Sequence, residues 1–245
     1  MKAIFFLSVL LSSLAFGQNQ LAPKHLRLMP LGQLPDWKEK LEDGKRMQII
    51  PEGSVPPANI ALPSGKKGGI QTTPLMLGVM SKTLRLDAKI PSLQFHEGKL
   101  AVGQPWLQAP VHKSTRTLGV LFEDPVEMTW EKPRILLLDD SQEAFPPGNI
   151  RFVNAGQNTA LVKSGITSRA IKPGKFLMLP LKEGKNVLTI GYLDKASSKP
   201  VLINEEFEVR IMANQRIQAF FYQNQKKGAD NQLLFKWLPE PPPVL

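Results

Sequence analysis

The three histidines are the first residues to consider for catalysis or metal binding. His25 lies in a segment that prolines interrupt, His96 lies beside a turn, and His112 follows Pro110. They lack the close spacing of a zinc signature, and the chain has no Gly-x-Ser-x-Gly nucleophile turn. Because there is no cysteine, the chain also lacks a thiolate for nucleophilic catalysis or for a blue-copper site. The residue types therefore predict no catalytic centre, no metal site and no cofactor.

Two short segments bring charged groups together. Residues 139–143 form the densest acidic cluster, but they lack the glycine and the alternating ligands of a calcium loop. Residues 64–69 are basic and glycine-rich, but they do not have the spacing of a phosphate-binding loop. We interpret the first segment as an acidic loop after a buried strand and the second as an ordinary loop.

Aromatic side chains are the remaining candidates for ligand binding, because a ring can stack against the face of a sugar. Burial in a core is the more common fate of such residues in a β-sandwich, so both interpretations stay open. The candidates are Trp106, Trp130, Trp237, Phe220 and Tyr222.

The charge balance limits the partners. The net charge is +10 and the isoelectric point is about 9.8, which favours anionic glycans or other envelope components over neutral surfaces. Many lysines follow glycine in turn-like pairs, so we favour the explanation that these lysines decorate solvated turns. No run of five basic residues occurs and aromatic residues make up only 7%, so we do not expect a platform for stacking nucleic-acid bases.

The amino terminus predicts export. Residues 1–17 have the positive, apolar and small-residue regions of a secretory signal peptide, with cleavage expected before Gln18. A cysteine would be needed after the signal for lipid anchoring, and none is present. We therefore expect a protein of the periplasm or cell surface of a Gram-negative bacterium, with no transmembrane segment after cleavage.

Alternating polarity dominates the rest of the chain. Residues 84–90 and 207–211 alternate apolar and polar side chains, as a half-buried strand requires. Residues 135–138 are continuously apolar, which is typical of a strand covered on both faces. Frequent turn signals among 22 prolines and 18 glycines separate such runs. The pattern predicts an all-β protein, an antiparallel β-sandwich.

Five segments follow from these signals. After the signal peptide comes an N-terminal arm (residues 18–44), whose Asp36 and Glu39 predict the capping box of a short helix. Two β regions (residues 45–130 and 131–238) and a proline-rich tail (residues 239–245) complete the chain. One large sandwich and two small ones remain alternatives, because no internal repeat is strong enough to decide between them.

One stretch is similar to known proteins. Residues 144–154 (Ala-Phe-Pro-Pro-Gly-Asn-Ile-Arg-Phe-Val-Asn) are followed by Ile-Lys-Pro-Gly-Lys-Phe at 171–176. Over about residues 134–193 the chain resembles uncharacterised exported bacterial β-sandwich proteins. It is also locally similar to a small repeat domain of extracellular bacterial proteins that begins Arg-Phe-Val-Asn. Both resemblances imply export and a β fold, and neither implies catalytic residues.

The function that we predict is binding or scaffolding by an exported, non-enzymatic β-sandwich protein of the bacterial cell envelope. Its partners would be envelope proteins or anionic glycans. The alternative is a secreted polysaccharide-acting hydrolase, or its carbohydrate-binding accessory module. A third possibility is a structural subunit whose exposed edge strand is completed by a neighbour.

Overall fold

The protein is built from strands, as its sequence predicts. A computed structural model describes residues 22–64, 69–225 and 232–241, and the predicted signal peptide lies outside this range. In the described part of the chain every regular element is a strand, and no helix is long and apolar enough to cross a membrane. The strands are β1 (Lys24–Leu31), β2 (Lys38–Glu42), β3 (Lys45–Ile49), β4 (Asn59–Pro63), β5 (Ile70–Pro74), β6 (Leu84–Leu86), β7 (Ser92–Glu97), β8 (Leu107–Pro110), β9 (Arg116–Phe122), β10 (Arg134–Asp139), β11 (Asn149–Asn154), β12 (Thr159–Ser164), β13 (Thr167–Ile171), β14 (Phe176–Pro180), β15 (Gly184–Leu193), β16 (Pro200–Ile211), β17 (Arg216–Gln223) and β18 (Leu233–Glu240).

Sixteen of these 18 strands form two units of eight with the same connectivity, and β2 and β3 form a separate two-stranded hairpin. In the first unit, one sheet has the order β10-β9-β1-β6 and the other β5-β4-β7-β8. In the second unit the orders are β18-β17-β11-β14 and β13-β12-β15-β16. The first strand of each unit runs parallel to the seventh, β1 to β9 and β11 to β17. The predicted boundary between the two β regions lies at residue 130. Strand β10 follows that boundary, but it pairs with β9 of the first unit.

The pairing registers reveal a residue-level repeat between the units. Residues 26–33 (Leu-Arg-Leu-Met-Pro-Leu-Gly-Gln) occupy the positions of residues 150–157 (Ile-Arg-Phe-Val-Asn-Ala-Gly-Gln). The same registers match Arg116 with Arg216 and Asp140 with Glu240. Most equivalent turns and links differ by at most five residues in length. The large difference is between β1 and β4, which are joined by residues 32–58, whereas residues 155–158 suffice between β11 and β12.

Three layers of core separate four stacked sheets. One layer fills the first unit between its two sheets and includes Leu28, Phe95 and Trp130. A second fills the other unit around Phe152 and Phe221. The third layer lies between the units, where the two sheets that contain β1 and β11 face each other. We call this layer the junction, and its buried residues are Met29, Leu31, Leu118, Val120, Leu138, Val153, Ala155 and Phe220.

The expected N-terminal arm is wrong for β1, which is a central strand. It lies between β9 and β6, and Leu26, Leu28, Met29 and Leu31 are buried. Pro30, which suggested a break, is tolerated because its missing N–H lies on the side away from β9. On that side the carbonyl of Pro30 accepts a hydrogen bond from the Gly78 amide, and the pairing with β6 ends at Leu26.

The short helix predicted from Asp36 is also wrong, because residues 38–49 form a β-hairpin. Asp43 and Gly44 make the two-residue turn, and both have positive φ angles, 51° and 74°. An Asp-Gly pair with this geometry matches the twist of two antiparallel strands. The turn therefore outweighs the capping pattern of Asp36 and Glu39, and the β2–β3 hairpin pairs with no other sheet of the described structure.

Candidate functional site

A cluster of arginines and carboxylates lies at one end of the junction. Asp140 is buried and lies within 3.0 Å of guanidinium nitrogens from three arginines: Arg27 at 2.5 Å, Arg151 at 3.0 Å and Arg216 at 3.0 Å. Glu240, its repeat partner, lies 2.6 Å from Arg27 and 3.5 Å from Arg216. We call these five residues the arginine cluster, and its ion pairs connect the two units.

The surroundings of the cluster keep its arginines paired. Burial lowers the pKa of Arg151 to about 10, against the opposing effect of Asp140, so its guanidinium is still charged at neutral pH. Burial also tends to lower the pKa of Arg27, but hydrogen bonds and attraction to Glu240 and Asp140 raise it overall. Phe145 lies under two of the guanidiniums, 4.4 Å from Arg151 and 4.7 Å from Arg216. Because every carboxylate of the cluster is engaged by arginine, we assign it a structural role.

Glu123, which follows β9, has a buried side chain in the first unit. Only 7% of the residue is exposed, and its Oε1 accepts a hydrogen bond of 2.9 Å from the Trp130 indole N–H. Burial raises the pKa of Glu123 to about 7, although the Trp130 hydrogen bond opposes the shift. Glu123 also lines a small cleft of about 20 Å³ between the units, together with Gly32, Met128 and Tyr222. That volume holds about one water molecule and not a sugar ring.

The structure separates the five aromatic candidates. Trp130 and Phe220 are buried, the first in the core of the first unit and the second in the junction. Trp106 stacks on Trp130 and donates its indole N–H to the Trp130 carbonyl. Tyr222 is half-buried, and burial raises its pKa. Trp237 is 39% exposed, and its ring packs edge-on against Phe207. The five therefore do not form one binding surface.

The histidines and charged segments have separate environments. His96 is buried on β7 and its Nδ1 has no hydrogen-bond partner among the described residues. His112 Nδ1 lies 2.8 Å from the Ser114 hydroxyl, and burial lowers the pKa of His112. His25 lies on β1, facing arginines on both neighbouring strands. Within the described ranges no three His, Asp or Glu side chains could hold a metal together. Of the glycine-rich loop, residues 65–68 lie outside the described residues.

The second unit has an opening at one sandwich edge. A cavity of about 180 Å³ lies between the edge strands β13 and β14. Its lining is mixed, with apolar Val162, Leu177 and Leu179 beside Ser164 and Arg169. This volume could admit part of a side chain or a few waters.

The hairpin and the residue before it expose several apolar side chains that belong to no core cluster. All of β2 is exposed, and Leu41 is 71% and Trp37 54% accessible. Met47 and Ile49 on β3 are also exposed, at 43% and 37%. Their cross-strand partners are lysines, Lys40 opposite Met47 and Lys38 opposite Ile49. A two-stranded hairpin with apolar residues on both faces is only marginally stable by itself in water.

No protein-family model matches the chain, and no curated protein matches it either.

Sequence reasoning missed both the arginine cluster and the hairpin. The cluster joins residues more than 100 positions apart, such as Arg27 and Asp140, and no local pattern connects them. The hairpin has a recognisable signal, Asp43-Gly44 between two short runs that contain apolar residues, which competes with the capping pattern of Asp36 and Glu39.

Proposed function

We propose that this protein is an exported, non-enzymatic β-sandwich protein of the bacterial cell envelope that binds or scaffolds another envelope protein through its β2–β3 hairpin. The observation that carries the proposal is the hairpin's position. It lies in residues 32–58, the link that differs most in length between the two units. Binding residues are commonly found on loops that the fold itself does not require.

The hairpin's surface favours a protein as partner. Leu41 lies on one face of the hairpin, opposite Arg46, and the exposed Trp37 immediately precedes β2. Met47 and Ile49 lie on the other face with Lys38 and Lys40. Both edges of the hairpin have free main-chain groups in the described structure. A partner that offers an apolar groove or a strand would cover the apolar side chains and complete the sheet.

The experiment places a photocrosslinking amino acid at Leu41 in the full chain produced in its native envelope. We expect one discrete protein adduct, which mass spectrometry would identify. The control carries the crosslinker at Ile166, which is fully exposed on the other unit. The Trp37→Ser/Met47→Ser variant should reduce the Leu41 adduct at least fivefold, since burying two such side chains contributes about 2–4 kcal/mol.

Folding is checked on the same variants. The substituted side chains make no core contact, so the melting temperature should stay within a few degrees of that of the unmodified chain. Equal adduct yields at Leu41 and Ile166, or a Leu41 adduct that the double variant leaves unchanged, would overturn the proposal.

A further inference from the structure

A side-chain amide closes one edge of the first unit. The Gln71 side chain of β5 reaches across to β6 of the other sheet, where its Oε1 accepts a hydrogen bond of 2.9 Å from the Arg85 amide. Its Nε2 donates to the Arg85 carbonyl. Gln71 therefore bridges the two edge strands with the same pair of hydrogen bonds that a neighbouring strand would make.

The second unit cannot form this bridge at the equivalent edge. The registers of β6 and β14 on the first strand of each unit match Arg85 with Pro180. Counted from the first residues of β4 and β12, the registers of their partner strands match Gln71 with Arg169. A guanidinium has no hydrogen-bond acceptor and a proline has no N–H. These two residues therefore leave the edge without the amide bridge.

The cavity between β13 and β14 lies at this unbridged edge. Its volume is about 180 Å³, and an apolar cavity of roughly 150 Å³ is enough to accept benzene. Val162 and Leu179 belong to the core of the second unit, and Leu177 packs against that core. The fold therefore holds these three apolar side chains in place around a space of about the size of a phenyl ring.

Polar groups complete the lining of the cavity, namely Ser164, Thr167 and Arg169. Arg169 lies directly opposite Val162 in the pairing of β12 and β13, so both side chains are on the cavity face of their sheet. Arg169 is exposed, and in the part of the chain that the structure describes no carboxylate lies within ion-pair distance of it. An apolar space and a solvent-accessible guanidinium thus lie side by side.

We propose that this cavity binds a small carboxylic acid whose apolar body is about the size of a phenyl ring. The body packs against Val162, Leu177 and Leu179, and the carboxylate accepts parallel N–H bonds from Arg169. Burial of the apolar body contributes binding free energy that a bare anion lacks, and the guanidinium selects an acid over its neutral analogue. The site is in the second unit and does not depend on the function proposed for the hairpin.

The test is a titration of the full chain with phenylacetate, followed by the amide signals of its ¹H–¹⁵N NMR spectrum. Phenylacetamide is the neutral analogue, and acetate is the acid without a ring. We expect phenylacetate to shift signals of β13 and β14 saturably, phenylacetamide to bind at least fivefold more weakly, and acetate to cause no saturable shift. Equal affinity for phenylacetate and phenylacetamide, or no saturable shift with phenylacetate, would overturn the proposal.

Arg169→Met removes the guanidinium and keeps a long unbranched side chain. It should weaken phenylacetate binding about tenfold, the loss that one charge-assisted hydrogen bond implies, and change phenylacetamide binding less than about twofold. The matched control is Arg210→Met, at an exposed position on β16 at the other edge of the same sheet. It should change neither affinity more than about twofold, since distant charges are largely screened. Equal losses in the two variants would show diffuse attraction and contradict the assigned site.

Ser164→Leu tests whether the ligand occupies the cavity itself. Ser164 is half-buried and lines the cavity, so the larger side chain has space that a filled core would not offer. The variant should lose binding of phenylacetate and phenylacetamide alike, with a melting temperature within a few degrees of that of the unmodified chain. Unchanged binding in a folded Ser164→Leu variant would show that the acid binds elsewhere. The result with Arg169→Met does not depend on the stability of this variant.

Discussion

At the scale of single residues, Glu123 is a group whose pKa the fold shifts to about 7. Its carboxyl group is nearly closed to solvent and accepts the Trp130 N–H. The hydrogen bond stabilises the charged form, but burial dominates and raises the pKa from 4.5 to about 7. The folded protein therefore holds a proton on Glu123 at pH values where the unfolded chain has lost it.

This shift predicts how stability depends on pH. Between pH 4.5 and 7 the folded state binds more protons than the unfolded state, so stability falls as the pH rises through this window. Because of this shift, the free energy of unfolding above pH 7 is about 3 kcal/mol lower than at low pH. Glu123→Gln keeps an acceptor for Trp130 and cannot ionise. We expect it to match the unmodified chain at pH 4.5 and to be more stable at pH 8.

Urea unfolding at several pH values measures this difference. The contribution of other groups is removed by comparing the two proteins at each pH. A difference in unfolding free energy that stays constant from pH 4.5 to 8 would contradict the assigned pKa.

At the scale of strands, β15 and β16 meet at an irregular register that requires a glycine. The pairing shifts between Leu188 and Gly191, as at a β-bulge. A Cβ on Gly191 would lie 2.5 Å from the Val201 carbonyl oxygen. Since that oxygen belongs to the main chain, the two strands would have to separate.

Substitution at Gly191 should therefore be costly. We expect Gly191→Ala to reduce the free energy of unfolding by roughly 2 kcal/mol, the cost typical of overpacking. Gly119→Ala is the matched control. Its Cβ would meet only side-chain ends of Leu28 and Ile135, which can move, and the equivalent residue of the second unit is Ala219. Urea denaturation should show a loss below about 1 kcal/mol for the control, and equal losses would contradict the argument.

At the scale of the whole molecule, the junction makes the two units depend on each other. Apolar residues of both units fill it, among them Val120 and Phe220. The arginine cluster adds charges that are satisfied only when both units are in place, since Asp140 and Arg216 belong to the first and second halves of the repeat. We therefore expect the chain to unfold in one cooperative transition rather than unit by unit.

The Asp140→Asn variant tests this dependence. It leaves three guanidiniums of the cluster facing one carboxylate, so it should cost about 3–5 kcal/mol. The control, Glu208→Gln, breaks the exposed pair with Lys185 and should cost less than about 1 kcal/mol. Circular dichroism and tryptophan emission should give one coincident transition. Two separate transitions in the unmodified chain, or equal effects of the two variants, would rule out the coupling.

Local pattern was enough to determine the class of fold. The apolar run at residues 135–138 predicts a strand covered on both faces, and β10 indeed contributes Ile135 and Leu137 to one core and Leu136 and Leu138 to another. Alternation of this kind is visible because it depends on neighbours two residues apart. All-β structure could therefore be predicted from the sequence alone.

Only the tertiary structure decided what β1 and the charged residues do. Prolines at 23, 30 and 35 made β1 look like part of an arm, and its central place depends on strands about 60 and 90 residues away. The repeat is likewise hidden, because few residues besides Arg27 and Arg151 are identical between the paired first strands. From sequence alone, an arginine is expected at the surface. Three arginines instead lie in a buried cluster, because carboxylates at the ends of distant strands form ion pairs with them. Such pairings depend on how the sheets stack, and sheet stacking produces no periodic pattern in the sequence.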